Sequence, residues 1–95
     1  MKLIKIVKSD KPDKKMMAVF ETESGRTKTI HFGSKGMDDY TITKNKDQQR
    51  RYIQRHRTNE DWAVADTAGA LSRYVLWSST TIEGGIANYK RRFNL

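Results

Sequence analysis

The sequence lacks cysteine, has a single proline and contains no long apolar run in its 95 residues. Without cysteine the chain can form neither disulfides nor cysteine-based zinc sites, which fits a reducing compartment. Its apolar stretches are only a few residues long, so we expect no membrane-spanning helix. The opening MKLIKIVKSD has a lysine inside its apolar stretch and no small-residue cleavage site, so we expect no signal peptide and no secretion.

Acidic residues are also few relative to basic ones. Nineteen Lys and Arg face eleven Asp and Glu, which gives a formal net charge of +8 and an isoelectric point near 9.9. Such a chain attracts polyanions, which include nucleic acid, anionic lipid and acidic protein surfaces. We expect nucleic acid or an acidic protein as the partner and no membrane, while the charge indicates no particular oligomeric state.

Residues 1–32 predict a β-meander of three short antiparallel strands. The strands are expected at 3–7, 15–21 and 28–32, where β-branched and apolar residues recur with short alternating spacing. Gly25 suits the turn between the second and third strands because glycine tolerates a positive φ. In the second strand this spacing places Met16, Ala18 and Phe20 on one face.

Residues 45–95 predict about three helices. Asn45 is expected to cap the first helix. One stripe of this helix carries four residues at helical spacing, namely Gln49, Tyr52, Ile53 and His56. Asp66 or Thr67 then caps a helix through 68–77, and Thr80 or Thr81 caps the last helix. Strands followed by helices predict one α+β domain over 1–95, with a small three-stranded antiparallel sheet covered on one face by helices.

Residues 33–44 are predicted to form a glycine-containing loop or extended segment that joins the sheet to the helices. Gly33, Ser34, Lys35 and Gly36 have the chemistry of an anion-binding or docking loop, because successive backbone N–H groups can face a phosphate. Their spacing matches no nucleotide-binding motif. A glycine-permitted turn is therefore the main interpretation, and an anion or docking site is the alternative.

Few residues in the sequence suggest catalysis or metal binding. Adjacent Asp38 and Asp39 would point to opposite sides of an extended chain, so one site could rarely use both carboxylates. Neither His31 nor His56 has an acidic neighbour at a recognised ligand spacing, and no nucleophile with a neighbouring base can be assembled. We expect no enzyme, no metal and no cofactor, with weak acid/base use of Asp38, Asp39 and His31 as an alternative.

Basic residues cluster in two later segments, KNKDQQRRYIQRHR at 44–57 and KRRF at 90–93. The predicted nucleic-acid-binding residues are Lys46, Arg50, Arg51, Arg55, Arg57, Lys90, Arg91 and Arg92. We expect both segments to converge into one water-facing field that holds phosphates with little sequence specificity, since no base-reading motif is present. The alternative is an acidic protein partner that contacts the basic face together with exposed aromatic side chains such as Trp77.

Four blocks in order carry a family resemblance: FGSKGMDDYTI at 32–42, RRYIQRH at 50–56, TAGALSRYVLW at 67–77 and YKRRF at 89–93. From about Phe32 to Phe93 the chain resembles small basic proteins of unknown function encoded by large nucleocytoplasmic DNA viruses of algae and protists. The family has no established activity, so the resemblance transfers no catalytic residues. Within it, the segment from Gly33 to Tyr40 resembles a family hallmark.

The resemblance implies a viral protein in the virion or the infected host cell. Its partner would be either the packaged genome, which favours DNA over RNA, or other capsid proteins, which would make it a minor capsid protein.

Overall fold

The computed structural model describes residues 1–95 and places three strands before four helices. The elements are β1 (Lys2–Lys8), β2 (Lys14–Glu21), β3 (Thr27–Ser34), α1 (Tyr40–Thr43), α2 (Lys46–His56), α3 (Ala68–Leu71) and α4 (Ile82–Phe93). A π-helical segment, Ser72–Leu76, continues α3 directly. The predicted α+β fold with an N-terminal antiparallel sheet is confirmed. None of the helices has the length and apolar character needed to cross a bilayer.

The sheet packs on the helices through the face that carries Ala18 and Phe20. Its strands are antiparallel in the order β1-β2-β3, and Met16 pairs with Phe32 while Ala18 pairs with Ile30. Ala18, Phe20 and Phe32 enter the core, where they meet buried side chains of the helical half. The helical contribution to this core is Tyr40, Tyr52, Leu71, Val75, Leu76, Trp77 and Tyr89. The helices therefore cover one face of the sheet.

The predicted capping residues begin the helices as expected. The side chain of Asn45 accepts a hydrogen bond from the Gln48 backbone N–H at 3.1 Å, and Thr67 accepts one from Ala70 at 3.1 Å. Thr81 does the same for Gly84 at 3.0 Å. Each cap satisfies a backbone donor that has no partner inside the helix.

The segment 33–44 differs from the predicted extended loop. β3 continues to Ser34, and Tyr40–Thr43 form the single turn α1. Asp39 starts this turn because its carboxylate accepts the Thr41 backbone N–H at 2.9 Å. The prediction of an extended segment through residue 44 was therefore wrong in its second half.

Gly85 allows α4 to pack directly on the π-helical segment. A Cβ atom added at Gly85 would overlap the Val75 carbonyl group, whereas one added at Gly69 would lie 3.4 Å from the nearest atom, in the Glu60 side chain. The close approach of two backbones is therefore at Gly85 and not at Gly69.

Replacing Gly85 by alanine should therefore destabilise the fold by about 3 kcal/mol, since two backbones must separate. Gly69→Ala is the matched control: it also lies in a helix, and it should be neutral or stabilising by up to about 1 kcal/mol. Urea unfolding followed by circular dichroism measures both changes. Equal stability of the two variants would contradict the packing described.

Candidate functional site

A groove of about 670 Å³ lies between α2 and the end of the sheet at which β2 begins and β3 ends. On the α2 side it is lined by Gln48, Arg51, Tyr52, Arg55 and His56, which share one face of the helix. On the other side are Lys14, Lys15, Phe32, Gly33, Ser34, Gly36, Met37, Asp38 and Asp39. Glu60 and residues of α3 and the π-helical segment complete the lining, with Leu76 and Trp77. We call this cleft the α2 groove.

Three stacked rings form the aromatic part of the α2 groove. Tyr52 lies against Trp77 with ring centroids 4.2 Å apart and planes within 5°, and His56 stacks on Tyr52 at 4.2 Å. Burial, with a further contribution from the Glu60 carboxylate, raises the pKa of Tyr52. The Gln49 side-chain amide also donates to the Trp77 carbonyl oxygen at 2.8 Å. These contacts attach α2 to the end of the π-helical segment.

A buried ion pair positions the opposite side of the groove. Asp39 is only 2% exposed, and its Oδ2 lies 2.6 Å from Lys15 Nζ. Lys15 also donates to the Met37 carbonyl oxygen, so one lysine of β2 holds two residues of the connection to α1. The partner of this aspartate is thus a lysine 24 residues earlier in the chain.

Gly33 and Gly36 serve the backbone geometry of this connection. Both have positive φ angles, 78° and 88°, and a Cβ at Gly33 would lie 2.7 Å from Leu76 Cδ1. The backbone N–H of Lys35 donates to the Asp13 carbonyl oxygen at 3.0 Å, so it does not face an anion. Gly33, Ser34 and Gly36 line the groove, whereas Lys35 does not. These contacts agree with the main interpretation of the segment as a glycine-permitted turn.

All eight predicted nucleic-acid-binding residues are exposed. Of these eight, only Arg50 has an acidic partner within 4 Å, namely Asp47 at 2.8 Å. Arg51 and Arg55 are the two that line the α2 groove.

The cations of α4 lie outside that lining. Arg91 donates to the Asn88 side chain at 3.0 Å, and the Arg92 guanidinium lies 4.9 Å from the centroid of the Phe93 ring. Lys46, Arg50, Arg57 and Lys90 are also absent from the groove. Convergence of the two basic segments into one field stays a prediction.

The candidate acid/base residues have separate partners. His31 Nδ1 lies 2.7 Å from the Ser9 hydroxyl, while Asp39 is paired with Lys15 and Asp38 is exposed. No group of three or more His, Asp or Glu side chains is placed to hold a metal ion. His56 is partly buried, and its Nδ1 lies 3.4 Å from the Glu60 carboxylate.

The aromatic residues do not form the exposed surface that a protein partner would contact. Trp77 and Tyr89 are buried in the core, and none of the exposed large hydrophobic residues is aromatic. Exposed aromatics around Trp77 belonged to the alternative of a protein partner, and the structure does not provide them because Trp77 packs in the core.

Several groove residues carry no clear signal in the sequence. Lys14 and Lys15 begin β2 and line the groove, but neither was among the predicted site residues. Glu60 was not among them either. The spacing of Tyr52 and His56, four residues apart on one helix, was the signal that could have predicted their stack.

Lys15→Met should destabilise the fold by about 3 kcal/mol, since it leaves the buried Asp39 carboxylate without its countercharge. Asp39→Asn should cost less, because asparagine retains the helix cap and Lys15 can reach water. Thermal and urea unfolding of the two variants measure the difference. A Lys15→Met protein as stable as the wild type would show that the pair does not hold the connection.

Comparison with known proteins adds one match. Residues 4–56 match a family of unknown function (DUF5754). No curated protein and no solved structure matches the chain. The match begins in β1 and ends in α2, so it includes the strands before Phe32 and the blocks at 32–42 and 50–56. The resembling blocks at 67–77 and 89–93 lie beyond it. Because the match covers more than half of the chain, the chain belongs to the DUF5754 family of unknown function.

Proposed function

We propose that this protein is not an enzyme and that it binds nucleic acid through phosphate contacts with little sequence specificity. The observation that supports this most directly is the state of Arg51 and Arg55. Both are exposed, both line the α2 groove and neither has an acidic residue within 4 Å. An arginine guanidinium has the planar donor arrangement that matches a phosphate oxygen pair.

The charge of the groove sets the expected strength of this binding. Lys14, Lys15, Arg51 and Arg55 line it together with Asp38, Asp39 and Glu60. Since the Lys15–Asp39 pair is internally neutralised, the groove itself offers only a small positive excess. The exposed cations outside the groove must then contribute to attraction, and we expect dissociation constants of about 1 µM or weaker at physiological salt.

The resemblance to proteins of large DNA viruses supports the choice of DNA over RNA as the partner. On this proposal the protein is of viral origin and is associated with the genome in the virion or in the infected cell.

A structural role in the virion is the second candidate. The edge strand β1 exposes Ile4 and Val7 between Lys2, Lys5 and Lys8, a mixture of apolar and basic surface that suits an acidic capsid protein. This candidate no longer rests on exposed aromatics. Failure of the wild-type protein to bind duplex DNA even at low salt would favour this structural role.

The two candidates are separated by titrating duplex DNA at rising salt with the double variant Arg51→Glu/Arg55→Glu. We expect the wild type to lose affinity steeply as salt rises, and the variant to bind at least about tenfold more weakly with a salt slope lower by about 2. Because both side chains are exposed and unpaired, the unfolding temperature should not change. Fluorescence anisotropy measures the binding.

The matched control is Lys2→Glu/Arg26→Glu. Each substitution removes two units of charge, so both double variants lower the net charge from +8 to +4. Lys2 pairs with Glu21, and Arg26 lies in the adjacent β2–β3 turn. Both residues are therefore at the end of the sheet away from the groove, a distance of roughly 20 Å along the strands. If the control weakens binding as much as the groove variant does, net charge and not the groove explains the affinity.

A further inference from the structure

The ring stack of the α2 groove ends at solvent. Its inner rings, Trp77 and Tyr52, are 8% and 7% exposed, whereas the side chain of the outermost ring, His56, is 36% exposed. One face of His56 lies on Tyr52, and no further aromatic ring or guanidinium covers the other. A planar group entering the groove could therefore extend the stack by one layer.

A row of cations runs beside this stack on the same helix. Arg51 and Arg55 are four residues apart, as are Tyr52 and His56, so two parallel rows lie next to each other along α2. One row offers guanidinium groups and the other offers aromatic faces. Grooves that bind single strands combine these two components, with cations on the phosphates and aromatic rings on the unpaired bases.

Glu60 completes the arrangement at the end of the stack. Its carboxylate lies 3.4 Å from His56 Nδ1 and also accepts the Trp62 indole N–H at 3.0 Å. The first contact orients the imidazole ring. The negative charge disfavours a phosphate at this end, so a bound phosphate would lie towards Arg51 and the base towards His56.

We infer that the α2 groove binds single-stranded nucleic acid in preference to duplex, with one base stacked on His56 and the adjoining phosphate held by Arg51 and Arg55. The inference rests on the proposed function and refines its ligand. A duplex keeps its bases paired and stacked on one another, so it can use the arginine row but cannot reach His56. A single strand uses both rows.

The test compares an oligothymidine of about ten nucleotides with a duplex of equal length, by anisotropy at low salt. We expect the wild type to bind the single strand about tenfold more tightly. His56→Ala should lose about tenfold in single-strand affinity while duplex affinity stays unchanged, and His56→Phe should retain the preference because it keeps an aromatic face. His31→Ala is the control, since His31 is the other histidine and lies outside the groove.

The possible outcomes distinguish failure of the single-strand inference from failure of the proposed nucleic-acid binding. Equal affinity for the two ligands, or an unchanged single-strand affinity in a folded His56→Ala protein, overturns the single-strand inference. If duplex binding still depends on Arg51 and Arg55, the proposed function stands. Absence of binding to both ligands at low salt overturns the two together. Thermal unfolding of each variant establishes that it is folded.

Discussion

The stack of Tyr52 on Trp77 is the contact on which the candidate site depends. It brings a mostly polar helix, whose one buried residue is Tyr52, against the end of the π-helical segment. Without this contact, α2 would have little apolar surface to hold it, since charged and amide side chains cover most of the helix. The same contact sets the direction of the arginines, because residues 51 and 55 are displaced from Tyr52 by fixed helical angles. A packing interaction in the core thus determines where the unpaired cations lie.

The other side of the groove is held by polar and steric contacts of the connection between β3 and α1. Lys15 neutralises the buried Asp39, and Gly33 leaves space for the Leu76 side chain. The basic residues therefore divide into two roles. Lys15 stabilises the fold through its ion pair with Asp39. Arg51 and Arg55 have no acidic partner within the chain and are available to a ligand. This division explains how a strongly basic chain can present only a modest excess of charge in its groove.

The sequence predicted the elements that local chemistry determines. The three strands followed from alternation, and the caps at Asn45, Thr67 and Thr81 followed from the preference of these residues for free backbone N–H groups. It did not predict α1, because that single turn depends on a carboxylate whose countercharge comes from a distant strand. The π-helical segment was read as part of an ordinary helix, since a run of buried residues such as Val75, Leu76 and Trp77 carries no signal of an altered helical period. The site was predicted in part: its arginines came from composition, whereas the facing lysines and the exposed end of the ring stack required the tertiary structure.

The central claim is that a polyanion occupies the α2 groove and contacts Arg51 and Arg55. Amide chemical shifts of the isotopically labelled protein, followed by NMR during titration with a short oligonucleotide, test it most directly because they report every backbone position at once. We expect the largest changes on residues 51–56 of α2 and on Gly33, Ser34 and Gly36 across the groove. Changes confined to residues 90–92 of α4, with α2 unaffected, would contradict it.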